Sequence, residues 1–82
     1  MSTKPRTIGR NATRQIAALR RRQDLTCRIY TLENYFHGEV IAPSAAWDAL
    51  DRWCAQLRDN GNGTYTVHVH SNCWFELRPV SP

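Results

Sequence analysis

Cysteine is scarce in this chain, and its placement carries no framework. Cys27, Cys54 and Cys73 are odd in number and show no C-x-x-C spacing, which argues against a disulfide scaffold. Read singly, they are small apolar residues suited to a core. No uncharged apolar run approaches the length of a membrane span, and residues 1–10 lack the apolar segment of a secretory signal. The expectation is a protein that stays in the cytoplasm and has no membrane partner. Catalytic signatures are missing as well. With 82 residues the chain makes one domain, and a domain this small leaves little room for a deep enclosed site beside its core. Internal repeats and low-complexity tracts are absent. Neither a cofactor nor a small-molecule ligand is expected.

Acidic residues are nearly absent from the first third. Residues 1–28 hold Lys4, Arg6, Arg10, Arg14, Arg20, Arg21, Arg22 and Arg28 against Asp24 alone, a net of +7, whereas residues 29–82 carry a net of −3. A cationic module therefore precedes a mildly acidic body. Such a segment must find anions, on a partner or on its own body.

The hydrophobic pattern predicts a polar arm over 1–9, a basic helix over 10–23 with Asn11 as its N-cap, and a compact body over 25–78. At 100° per residue Arg10, Arg14 and Arg21 fall within about 40° of one another, opposite Ala12, Ile16 and Leu19. Residues 25–33 and 36–41 read as strands, with Gly38 marking a bulge or a close approach. An amphipathic helix is predicted over 44–59, capped by Ser44 and ended by Gly61, with a stripe of Ala46, Trp47, Leu50, Trp53, Cys54 and Leu57. Residues 64–70 alternate cleanly and 74–78 follow. A three-residue loop, Ser71-Asn72-Cys73, would set Val69 opposite Phe75 and Val67 opposite Leu77, with His68 opposite Glu76 and His70 opposite Trp74. The predicted fold is α+β: a four-stranded antiparallel sheet packed by one amphipathic helix, with the basic N-terminal helix added, in the order α-β-β-α-β-β.

Four constellations bear on function. His68, His70 and Cys73 could form part of a zinc site, completed by Cys27 or His37; the blander alternative is a solvent-facing His/Glu/Trp patch. His37, His68 or His70, with Glu76 as orienting carboxylate, could do acid–base chemistry on a phosphodiester. The basic helix, through Arg10, Arg14, Arg20, Arg21 and Arg22, could hold nucleic acid by its backbone without reading sequence, or could dock on the chain's own acids. His68, His70, Trp74, Tyr30 and Tyr35 could share an exposed surface, Trp and Tyr being among the types that dominate protein interfaces, and Trp53 could join them; otherwise these aromatics cover the second sheet face beneath the N-terminal helix. A non-catalytic binding protein fits these residues best.

The stretch Ala42-Pro43-Ser44-Ala45, a helix ending at Ala55-Gln56-Leu57-Arg58-Asp59, and the strand from Tyr65 to His70 resemble the C-terminal half of small phage-encoded type I anti-CRISPR proteins. The likeness spans about residues 35–70. It implies a phage or mobile-element protein that acts in the host cytoplasm without catalysis, by binding one subunit of a CRISPR-Cas surveillance complex. Members of that family mimic phosphate with carboxylates; here that role would fall to Glu33, Glu39, Asp48, Asp51 and Asp59. On this reading Arg10, Arg14, Arg20, Arg21 and Arg22 supply charge, Tyr30, His70 and Trp74 anchor the partner, and reversing Arg14 and Arg21 to glutamate should abolish activity. The alternative is a small basic DNA- or RNA-binding protein.

Overall fold

Alternating apolar residues organise the chain into an antiparallel sheet. The computed structural model describes residues 6–9, 11–32, 37–53 and 55–80. In chain order these form β1 (Arg6–Ile8), α1 (Thr13–Arg21), β2 (Leu25–Thr31), β3 (His37–Ile41), α2 (Pro43–Arg52), β4 (Gln56–Asp59), β5 (Tyr65–His70) and β6 (Cys73–Pro79). The fold is α+β. The sheet has six strands in the order β1-β4-β5-β6-β2-β3, every neighbour antiparallel. Among the described residues no helix is long and apolar enough to cross a membrane.

The predicted four-stranded sheet and the α-β-β-α-β-β order are therefore wrong by two strands. One is β4, taken from what reads as the end of the second helix. That helix stops at Arg52, where the Trp53 N–H closes on the Ala49 carbonyl at 3.0 Å. The tract Ala55-Gln56-Leu57-Arg58-Asp59 satisfies a helical stripe and a strand alternation equally well. The turn after it favours the strand, and pairing on both sides fixes it. Asn60-Gly61-Asn62-Gly63 is a hairpin signal rather than a helix C-cap. Gly61 and Gly63 take φ of 81° and 88°, the Gly61 N–H donates to Asp59 at 2.9 Å, and the Thr64 N–H donates to Asn62 at 3.1 Å. Asp59 thus lies opposite Tyr65, and Leu57 opposite Val67. The other added strand is β1, predicted to be a loose arm. It pairs Ile8 with Leu57 and Arg6 with Asp59, an edge available only because β4 exists.

Both helix starts also differ from expectation. Ala12, not Asn11, is the N-cap of α1, without a side-chain cap. Ala42, not Ser44, precedes α2, and Pro43 occupies the first turn, where its missing N–H is no loss.

The core lies on one face of the sheet. Ile8, Leu57, Val67, Phe75 and Ile29 are successive cross-strand neighbours along one row; Tyr65, Leu77, Cys27 and Ile41 form the next. Leu57, Val67, Leu77 and Cys27 are the largest side chains that are fully buried. Leu19 of α1 and Ala46, Trp47 and Ala49 of α2 cover this face. Trp53, expected in the helical stripe, is 59% exposed. Burial pushes the Cys27 thiol up to about 11, so little thiolate forms at neutral pH. In a Cys54→Ser/Cys73→Ser background, Cys27 is expected to react with an aromatic disulfide reagent only as fast as the protein unfolds. Immediate labelling of the native protein would contradict this core.

The β5–β6 hairpin departs from the predicted register. Val67 faces Phe75 and Tyr65 faces Leu77, with His68 opposite Trp74 and His70 opposite Cys73. The connection is the two-residue turn Ser71-Asn72. A two-residue loop alone would have turned the apolar residues to opposite faces. The register shift between His68 and His70 is a bulge that inserts one residue and restores face parity. The Asn72 N–H donates to His70 Nδ1 at 3.1 Å.

Candidate functional site

The strand alternation that fills the core also builds a second face, and no described element packs on it. Both helices lie on the Ile8–Leu57–Val67 side. The basic helix is thus not a lid over the sheet's aromatics, as one reading of the sequence had it. Two rows of side chains cross the uncovered face. The first is Thr7, Arg58, Thr66, Glu76, Arg28 and Val40, one from each of the six strands. The second is Gln56, His68, Trp74 and Tyr30.

The second row holds the clearest geometric feature. The Tyr30 and Trp74 rings stack with centroids 5.7 Å apart and planes 7° from parallel. Such a pair contributes about 0.5–1.5 kcal/mol beyond the area it buries. Tyr30 lies between Trp74 on β6 and Gly38 on β3. A Cβ at position 38 would come within 3.3 Å of the Tyr30 ring, and Gly38 has φ of 80°. The positive φ favours glycine there, and a side chain would in addition press on the Tyr30 ring. The expected close approach at Gly38 is present. On the other side of Trp74 the row continues to His68, which is exposed.

The first row supplies charge. Arg58 and Arg28 are exposed, and the Arg28 guanidinium is oriented by donating to the Gly38 carbonyl at 2.6 Å. Glu76, the carboxylate of this row, accepts from Arg78, itself on the same face opposite Thr26. With that pair neutral, Arg28 and Arg58 leave the face cationic.

The arginines predicted on the basic helix fare differently. Arg20 donates both terminal nitrogens to Asp51 of α2, at 3.1 and 3.0 Å. This exposed pair contributes about 0–1 kcal/mol. Arg22 is bidentate to Asp24 at 2.8 and 2.7 Å; that hydrogen bond holds the Asp24 carboxyl below its ordinary range and raises Arg22. Two of the five are thus engaged by the chain's own acids. Arg14 and Arg21 are exposed and make no ion pair among the described residues. Arg10 lies outside the described residues, as do Glu33, Tyr35 and Cys54, and nothing is described of the His37 side chain.

Tyr30 and Trp74, two predicted anchors, are brought together; the third, His70, is not. The bulge pairs it with Cys73 instead of Trp74, on the opposite face from His68. This also disperses the candidate zinc ligands His68, His70 and Cys73, which required both histidines to point the same way. Among the described residues no three His, Cys, Asp or Glu side chains gather where they could hold a metal ion. His68 and Glu76, predicted to lie opposite each other, are instead diagonal neighbours on one face: His68 lies opposite Trp74, and Glu76 lies opposite Thr66 and accepts from Arg78.

A concavity of about 640 Å³ lies between α1, α2, β1 and β4, walled by Ile8, Ile16, Ala17, Leu50, Ala55 and Leu57. Its charged side chains, Arg20 and Asp51, are bonded to each other, which leaves no charge free to orient a ligand.

Sequence reading missed Arg28, Arg58, Gln56 and Thr66. For Arg28 and Thr66 the signal was there: they alternate with Cys27 and Val67. For Gln56 and Arg58 it was masked by the helical reading of the same tract. No family model, no curated protein and no solved structure matches this chain.

Proposed function

We propose that this chain is a non-catalytic binding protein that holds nucleic acid against the uncovered face of its sheet. One observation carries the reading: a solvent-facing sheet surface on which Arg28 and Arg58 flank a neutralised Glu76–Arg78 pair, beside the Tyr30–Trp74 stack. Guanidinium groups meet phosphate with directed hydrogen bonds, and aromatic rings offer bases a stacking surface. No base-reading motif accompanies them, so recognition is directed at backbone and base faces rather than at sequence.

Titrating a labelled oligonucleotide at several salt concentrations tests this. Affinity should fall linearly on a log–log plot, and Arg58→Gln should flatten the slope by about 0.7–0.9, the release of one phosphate contact. Absence of binding at low salt, or a slope that Arg58→Gln leaves unchanged, would overturn the proposal.

A second reading is the one the resemblance implies, an inhibitor that binds one subunit of a CRISPR-Cas surveillance complex in a host cytoplasm. What favours it is the composition of the same face, since Tyr, Trp and Arg are the types that dominate protein interfaces. The helix on which that resemblance drew ends at Arg52, and its last five residues include β4. Such an inhibitor would show little affinity for free nucleic acid and would co-purify with a protein subunit after nuclease treatment. Nuclease-sensitive capture supports the first reading instead.

A further inference from the structure

We infer that the ligand of the uncovered face is a single strand, not a duplex, with two or three bases stacked outward from Trp74 past His68 and its phosphates along the row Arg28–Arg58. This rests on the nucleic-acid reading above and narrows it.

The rows run side by side. Arg28 and Tyr30 are two residues apart on β2, and Glu76 and Trp74 are two apart on β6, so the charged and aromatic rows lie about 6.7 Å from each other. A nucleotide likewise carries an anionic phosphate at one end and a flat base at the other. Arg58 and Arg28 stand three strand spacings apart, about 14 Å, with Glu76 between them. A strand crossing the sheet therefore meets a cation at each end of this interval, with Thr66 and the paired Glu76 between them. Two phosphates taken at the ends leave room for two or three intervening bases, the number an open sheet commonly stacks.

The aromatic row distinguishes the two nucleic-acid forms. Tyr30 and Trp74 are half-buried on the interior strands β2 and β6, at the end of the sheet beside the Ser71-Asn72 turn. A duplex presents phosphates and keeps its bases stacked inside, so it can reach the arginines but offers no π face to Trp74. An unpaired base offers one. One side of Tyr30 is closed by Gly38 and the other by Trp74, so the stack can grow only beyond Trp74, toward β5. There His68 is exposed, with Gln56 next to it on β4. These polar groups can bond base edges, and Thr66 and Thr7 in the first row can bond phosphate oxygens.

The occupant follows from charge. Arg28 and Arg58 are exposed in the first row, and Glu76, the one carboxylate among the described residues of the two rows, is neutralised by Arg78. A polyanion with flat, separable aromatic groups is the complement of such a surface. A neutral or acidic apolar partner would satisfy the rings and leave the arginines unmatched, or the reverse.

The test compares three labelled ligands by fluorescence anisotropy at low salt: oligo-dT, oligo-U and a duplex of the same length. Wild-type protein is expected to bind oligo-dT, oligo-U or both at least about 10-fold more tightly than the duplex, given about 1–3 kcal/mol per stacked base. Trp74→Ala should weaken single-strand binding by about 5- to 150-fold, the same energy converted at about 1.4 kcal/mol per decade. Duplex binding should change by less than about two-fold in that variant, because the arginines remain. Trp74→Phe, which keeps a ring, should restore most of the loss and guards against a merely structural effect. Equal affinity for duplex and single strands, or an equal loss for both in Trp74→Ala, would sink the single-strand inference while leaving the nucleic-acid reading standing. Failure of the wild type to bind any of the three would sink that reading itself.

Discussion

Truncating Leu77 to alanine is expected to remove a large part of the protein's stability. Leu77 sits on β6, an interior strand flanked by β5 and β2, opposite Tyr65 on one side and Cys27 on the other. It is completely buried. Removing a buried leucine's outer atoms costs about 2–5 kcal/mol, because the lost transfer energy adds to that of the cavity left behind. A chain of 82 residues has a total stability of about 4–12 kcal/mol at the usual per-residue value. The variant should therefore unfold at a much lower urea concentration, and at the low end of that range it would not be folded at all. Val40→Ala, at a site 63% exposed on the edge strand β3, should stay within about 0.5 kcal/mol of wild type. Equal midpoints for the two variants would mean that the core is not where the register places it.

Reversing Arg28 and Arg58 together to glutamate should weaken oligonucleotide binding by about 100-fold or more. Each guanidinium lost removes a charge-assisted hydrogen bond of about 1.5–3 kcal/mol, and each carboxylate gained repels the phosphate that remains. The comparison that matters is with Arg14→Glu/Arg21→Glu. That change removes and reverses the same number of charges, on a helix that packs against the other face of the sheet. A ligand on the uncovered face does not touch those positions, and screening at physiological salt, with a Debye length of about 8 Å, attenuates their effect through space. The helix variant should keep binding within about five-fold of wild type. If instead it abolishes binding while the sheet variant leaves binding intact, the basic helix is the interface, as the charge asymmetry of the sequence suggests. Far-UV circular dichroism on both variants separates lost contacts from lost fold, which matters for Arg28 because its hydrogen bond to the Gly38 carbonyl also ties β2 to β3.

The contrast between helix and sheet shows how charge counting misleads in a chain of this size. Residues 1–28 are the cationic third by composition, and Arg14 and Arg21 share one side of α1 in helical projection. Composition does not say which of those charges meet an acid in the fold. Asp51 lies 31 positions from Arg20, and the ion pair between them exists only because the fold brings α1 and α2 onto the same face of the sheet. Arg28, the last cation of that segment, belongs to a strand and turns away from the helices. Arg58 comes from the acidic two-thirds and joins it. The cationic face is thus assembled from both halves of the chain.

Much could be read before folding. Periodicity located α1, β2, β3, β5, β6 and the first part of α2. The alternation around Val67, Phe75 and Leu77 identified the core face, and Gly38 announced the close approach beside Tyr30. These features are local, set by side-chain period and backbone freedom within a few residues. The remainder is not local. Whether residues 55–59 continue a helix or start a strand depends on a partner on each side, Ile8 before and Val67 after, far apart in the chain. The hairpin register depends on a bulge that keeps the apolar residues on one face. The pairing of Trp74 with His68 rather than with His70 follows from that register, and its stacking on Tyr30 from the separate β2–β6 pairing. Burial of side chains from distant segments outweighs local propensity, which differs little between the competing conformations of so short a tract, and this is why the strand count, the register and the site itself emerge only when the sheet closes on its core.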